Sequence, residues 1–278
     1  MNDPVTQEGT MSSFRRRLVL GLVCAASLAY AATLPPSARA QTVDEIIKRG
    51  KVQIAIDITN PPHGTMGADM KPDGYEVAIA RSLAKAMGVE LDLVPVTSQN
   101  RISFILTERC DILIAGLTVT AQRSLQVWFT SPYSVNILGV IAEKGKAISK
   151  PADLAGLRVG TVRAQFGEPF LVKAAPPGTN IMRFDDLQAT MQALLAGQVD
   201  AIAENWLIPA ELNKLRPGRD YETKLDLSKG YWGMAIRRGQ SDLLQYLNSF
   251  VFTIKASGEL DELHRKYIGL PLPELPVL

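Results

Sequence analysis

The stretch "ISFILTERCDILIAG", Ile102 to Gly116, has a counterpart in "MQALLAGQVDAIAEN", Met191 to Asn205. Each runs from an apolar helical segment through a polar turn to an aspartate. A short apolar run follows, then a glycine or an amide. Asp111 stands five residues before Gly116, and Asp200 five before Asn205. A short apolar run bounded by turn residues reads as a buried strand, and a helix feeding it reads as one unit of an α/β sheet. Two such units predict two lobes built alike. In parallel α/β sheets, ligands sit beyond the carboxyl ends of the strands. Gly116 and Asn205 are therefore expected to face one site, one from each lobe.

The flanking sequence continues the alternation. "VQIAI" (Val52–Ile56), "ELDLVPV" and "DILIAG" read as strands, and so do "LRVGTV", "NIMRF", "VDAIAE" and "YWGMAIR". In "YEVAIARSLAKAM", Val77, Ala80, Leu83, Ala84 and Met87 share one helical face, and Gly88 stops the helix. "RISFILTER", "DDLQATMQALLAG" and "SDLLQYLNSFVFTIKASG" also read as helices. Strands alternating with helices imply α/β architecture.

The first 40 residues read as a leader. Arg15, Arg16 and Arg17 precede the apolar run "LVLGLVCAASLAYAA", and Ala38-Arg39-Ala40 fits a cleavage site before Gln41. The run falls short of the roughly 20 apolar residues that span a bilayer. The leader's four arginines against Asp3 and Glu8 make +2, which is the whole chain's formal charge, so the remainder is near neutral. That balance gives no footprint for nucleic acid. Past the leader only Cys110 remains, beside an apolar run, and it reads as an inert buried thiol. His63 and His264 lie far apart, and no metal-ligand spacing or phosphate-binding loop occurs. No metal and no cofactor are expected.

The segment "GLTVTAQR", Gly116 to Arg123, follows the central strand. Thr120 is a good N-cap for a short helix. Arg123 in that helix has the planar fork that grips a carboxylate, and backbone N–H groups can add donors. The same residues also suit a plain capped helix with a solvated arginine.

The order of these motifs resembles the bacterial extracellular solute-binding proteins for polar amino acids, which serve ABC importers. The resemblance covers residues 42–270. It rests on "DGYEVAIARSLAK", "GLTVTAQR" with "FTSPY", "DLAGLRVGTV", "LLAGQVDAIAEN" and "GYWGMAIRRG". It implies an α/β, two-lobed periplasmic-binding-protein fold. Each lobe would be a largely parallel sheet flanked by helices, with two hinge segments near residues 134–140 and 229–234. Lobe 1 would comprise residues 41–137 and 233–278, and lobe 2 residues 138–232. It further implies that Thr118 and Arg123 hold the ligand's α-carboxylate, beside Leu117. Gly116 would offer its carbonyl to the α-ammonium, and Asp57 would line the side-chain pocket. Residues Ala164, Gln165 and Phe166 would present backbone N–H groups at a helix start, and position 205 would face the ammonium.

Several positions depart from the family pattern. Ala78 stands where an acid is usual, and Asn205 where the family has aspartate. Asn60 and Ser98 replace the aromatic walls, and Ala164-Gln165 replaces a Gly-Thr turn. A neutral Asn205 cannot pair with a charge. It favours a keto or hydroxy acid, or an amino acid held through Gly116 and Asp57 instead. The expected partners are thus a small carboxylate ligand and a membrane permease, with a monomer in the periplasm. Two alternatives share the scaffold. One is a dehydratase-like enzyme, with Glu204 or Asp57 as the acid. The other is a ligand sensor docking on a receptor. Plainer roles are core or hinge packing for Trp206 and Phe166, a surface charge at a helix start for Arg101 with the cleft as its alternative, a solvated residue for His264, and packing or fraying for the Pro-rich tail.

Overall fold

The computed structural model describes residues 43–277, and the expected leader lies outside the described residues. Helix α1 (Val43–Arg49) leads into β1 (Lys51–Ile56). A small hairpin, β2 (Thr65–Met66) and β3 (Pro72–Asp73), precedes α2 (Tyr75–Met87) and β4 (Glu90–Pro95). Then come α3 (Arg101–Leu106), β5 (Ile112–Leu113), α4 (Ala121–Ser124), β6 (Val127–Phe129) and the long β7 (Ser134–Glu143). The second half holds β8 (Arg158–Val162), α5 (Glu168–Ala174), β9 (Asn180–Phe184), α6 (Leu187–Leu195), β10 (Ala201–Asn205) and α7 (Ile208–Leu215). The chain ends with β11 (Tyr221–Trp232), β12 (Ala235–Arg237), α8 (Ser241–Ala256) and α9 (Glu259–Ile268).

Two five-stranded sheets result, ordered β4-β1-β5-β12-β6 and β11-β7-β10-β8-β9. The helix-fed neighbours β1/β4, β1/β5, β8/β10 and β8/β9 are parallel. The remaining pairings are antiparallel, and they involve the strands at which the chain changes sheet. β7 enters the second sheet after β6, and β11 leads back to β12 in the first. The two pair along a long ribbon, from Tyr221 opposite Glu143 to Trp232 opposite Ser134.

The alternation of side chains explains why both faces of each sheet are covered. In the first sheet Ile54, Ile56, Ile112 and Ile114 pack against α2 and α8, while Ala55, Leu113 and Ala115 pack toward Phe104 and Ile105 of α3. In the second, Ile141, Val162 and Ile202 meet α6 and α7 on one face. Val140, Ala142, Val159 and Ala201 meet Leu154 and Leu171 on the other. Full burial of each such aliphatic contributes about 1.5–3 kcal/mol. The predicted stripe Val77, Ala80, Leu83, Ala84 and Met87 is buried, and α2 stops at Gly88 in the left-handed conformation.

Two sequence expectations need correction. "YWGMAIR" is not one strand: β11 stops at Trp232 and β12 begins at Ala235. A side chain at Gly233 would come within 2.9 Å of the Thr130 carbonyl, so a glycine marks the change of sheet. His264 is buried rather than solvated, with Nδ1 2.7 Å from the Leu270 carbonyl and its ring edge-on to Tyr75. Of the two readings of the Pro-rich tail, packing or fraying, it packs: the Leu272 N–H bonds Asp261, and Leu275 is buried. Cys110 is a free, buried thiol, and burial pushes its pKa up to about 12.

Candidate functional site

Gly116 follows β5 in the left-handed region, at φ +60°. An added side chain there would meet the Trp232 ring at 3.4 Å and the Asn60 amide at 3.5 Å. Its N–H donates to Glu76 Oε1 at 2.7 Å. Leu117 turns its side chain into the core. Thr118 is buried, bridged to Trp232, and its Oγ1 has no hydrogen-bond partner among the described residues. Thr120 caps α4 by accepting from the Arg123 N–H. The Arg123 guanidinium folds back, and Nη1 donates to the Thr118 carbonyl at 2.9 Å. Burial, and then the nearby Arg101, lower its pKa to about 10, so it stays charged near neutrality.

The second lobe meets this loop directly. Arg123 Nη2 reaches the Ala164 carbonyl at 3.4 Å, and Gln99 Nε2 reaches Asp185 Oδ1 at 3.0 Å. Between α4 and residues 164–170 lies an open cleft of about 460 Å³, which Gln165 and Phe166 help to line. Gly230 on β11 lets Thr118 and Phe166 approach each other. A β-carbon there would fall 2.5 Å from Thr118 Cγ2 and 3.0 Å from the Phe166 ring.

In the second lobe the expected donors and Asn205 have partners within the protein. The Ala164 N–H is taken by the Glu168 carboxylate at 3.0 Å, and the Gln165 N–H turns back to the Val162 carbonyl. Asn205 is buried but engaged at both ends. Its Nδ2 donates to Asn136 Oδ1 at 2.8 Å, and its Oδ1 accepts from the Leu207 N–H at 2.9 Å. The carboxamide thus ties β10 to the hinge strand β7, because it carries both a donor and an acceptor. Glu204, next along β10, accepts from the Val162 N–H, and burial raises its pKa to about 8. Trp206 lines a pocket against Ile137, Lys229 and Pro273 beside the ribbon, which is packing at the hinge strands.

Behind the Gly116 loop sits a buried polar group. Asp57 closes β1, and Thr59 donates to its Oδ1 through both N–H and hydroxyl. Burial raises the Asp57 pKa, against these bonds and the charge of Arg101. Ser98 is buried ahead of α3. Arg101 is 2% exposed, not a surface charge, and its Nη1 donates to the carbonyls of Ala115 at 2.7 Å and Gly116 at 3.2 Å. The Gly116 carbonyl, expected to meet an ammonium, therefore already accepts from an arginine. Glu76 takes the Gly116 N–H and the Tyr133 hydroxyl, and burial raises its pKa to about 7. The sequence reading missed Glu76, Tyr133 and the burial of Arg101. Two signals were present: Glu76 falls on the stripe of Ala80, Leu83 and Met87, and Arg101 precedes buried Phe104 and Ile105 by one helical turn.

The L-cystine-binding protein TcyJ of Escherichia coli is 28% identical over 256 residues, covering 91% of this chain and 96% of that protein. The ABC transporter arginine-binding protein 1 of the same species is 27% identical over 212 residues, covering 75% and 86%. Among solved structures, the ancestral amino acid-binding protein AncCDT-1, a precursor of cyclohexadienyl dehydratase, superposes with a TM-score of 0.75 at 26% identity, covering 81% and 99%. The family model of the bacterial extracellular solute-binding proteins, family 3, matches residues 52–270, and with that span the chain belongs to this family.

Proposed function

We propose that the protein binds an amino acid or a related small carboxylate between its lobes and delivers it to the permease of an ABC importer. In this reading Thr118 and Arg123 hold the ligand carboxylate. One observation carries it: the Thr118 hydroxyl is buried without a partner beside a guanidinium that bonds the Thr118 carbonyl. A carboxylate would satisfy both groups at once, and charge-assisted bonds of this kind are the strong ones. Asp57, Asn60, Gly116 and Phe166 would form the rest of the pocket, and the division into residues 41–137 with 233–278, and 138–232, is supported by the chain changing sheet between Phe129 and Ser134 and again after Trp232. The leader would send a monomer to the periplasm.

Binding without chemistry is the favoured role. The acids weighed for an enzyme are held by internal bonds: Glu204 by the Val162 N–H, Asp57 by Thr59. The test is a thermal-shift screen of amino acids, keto acids and dicarboxylates, followed by calorimetry and an assay for turnover. A ligand at 100 times its Kd should add about 2.7 kcal/mol of stability. Arg123→Ala should fold and lose about 2–5 kcal/mol of binding. Arg123→Lys should also weaken it, since a point charge lacks the fork. Unchanged affinity in Arg123→Ala would remove the carboxylate site.

A further inference from the structure

Arg101 is the buried charge whose donors are least used. Nη1 serves the Ala115 and Gly116 carbonyls, while Nε and Nη2 are buried with no hydrogen-bond partner among the described residues. Those two atoms form the side-on edge of the guanidinium, the edge that takes a carboxylate bidentately. Leaving buried donors unmet is costly, and fully satisfied networks are the rule. The titratable groups within electrostatic range of Arg101 are Asp57, Glu76, Tyr133 and Arg123, and among the described residues no carboxylate bonds to its open edge. Glu76 directs Oε1 to Gly116 and Tyr133. Both bonds to Asp57 fall on Oδ1, which leaves Oδ2 for another donor. Asp186 faces Asp57 from the second lobe and caps α6 through the Ala189 N–H.

We infer that Arg101 holds a second carboxylate of the ligand, so that the cleft selects an acidic amino acid. One carboxylate would lie on Thr118 and Arg123, the other on the Nε/Nη2 edge of Arg101, and the ammonium would turn to Asp57. This rests on the reading of Thr118 and Arg123 given above. Two arginines and one aspartate complement two carboxylates and one ammonium. The ammonium then needs neither Asn205, which is engaged with Asn136 and Leu207, nor sole use of the Gly116 carbonyl. An amide side chain would meet Arg101 with a neutral acceptor. A basic side chain would set a cation against it, and like charges brought together are penalised. A dicarboxylate without the ammonium would leave Asp57 facing two anions.

Calorimetry on the protein with aspartate, glutamate, asparagine, glutamine, glutarate, arginine and cystine tests this. At least one acidic amino acid should bind about tenfold or more tighter than its amide, and tighter than glutarate, arginine or cystine. An amide, arginine or cystine that binds as tightly as the acids overturns the inference, as does failure of all seven to bind. Arg101→Gln should shrink the preference for acid over amide to within about threefold, and Arg101→Lys should restore part of it. If Arg101→Gln does not fold, the acid–amide comparison on the parent protein decides alone. Arg123→Ala separates the two claims. If it loses every ligand while the parent treats acid and amide alike, only the role of Arg101 falls. If it binds like the parent, the carboxylate site beneath both falls.

Discussion

Asn205 shows how one atom changes the meaning of a position. An aspartate there would accept only, whereas the amide donates to Asn136 and accepts from Leu207. Asn205→Asp would place a carboxylate oxygen against Asn136 Oδ1 until that amide turned over. The expected stability cost is about 1 kcal/mol, the net worth of one hydrogen bond. It would also bring a negative charge near the site. Calorimetry with an amino acid and its matching keto acid should then show the amino acid gaining and the keto acid losing affinity. Equal changes in both would mean that position 205 does not face the α group. The Thr120 cap was legible in "GLTVTAQR", because capping is local chemistry, and so was the arginine beside it that the proposed carboxylate site uses. The buried half was less legible. The partners of Glu76 lie 40 residues away in Gly116 and 57 away in Tyr133, so no local pattern names them.

Elements with strong periodicity were legible. α2, α6 and α8 carry apolar stripes, and β1, β8 and β10 are short apolar runs between turns. The β7–β11 ribbon was legible only as two hinge segments. Its outer strand reads "YETKLDLSKGYW", polar enough to resemble a loop, because it lies at the edge of its sheet. The ribbon is irregular, with register shifts at Thr223/Leu225 and Asp226/Ser228. Gly139 sits between these points, and a side chain there would fall 2.5 Å from Thr223 Cγ2 and 2.8 Å from the Leu225 carbonyl. A backbone carbonyl cannot step aside as a flexible side chain can. Gly139→Ala should therefore cost about 1–3 kcal/mol, the range for overpacking. Denaturant unfolding that shows an unchanged midpoint would mean the ribbon absorbs the methyl by deepening its bulge.

At the scale of the whole molecule, burial of titratable groups sets the pH of greatest stability. Burial raises Glu76 from 4.5 to about 7 and Glu204 from 4.5 to about 8, so the folded state binds protons that the unfolded chain releases. Their contribution is complete below about pH 4.5 and is lost as pH rises toward 7 and 8. His63 runs the other way: burial holds it at about 3 against 6.5, so stability falls as pH drops below 6.5. Two half-ionised unfolded glutamates offset one protonated unfolded histidine at about pH 4.5, so these three groups together place their maximum near pH 4.5 in a melting-temperature series, and Glu204→Gln should flatten its alkaline side. A second whole-molecule property follows from the contacts between lobes. Arg123 to Ala164 and Gln99 to Asp185 are single polar contacts, and exposed contacts of this kind are worth about 1 kcal/mol or less. Such a junction is easily opened about the β7–β11 ribbon. A ligand bonded by both lobes would favour the closed form in proportion to its extra contacts there. Small-angle scattering should therefore give a smaller radius of gyration with saturating ligand than without it. The same radius in both states would argue that binding proceeds without closure of the lobes.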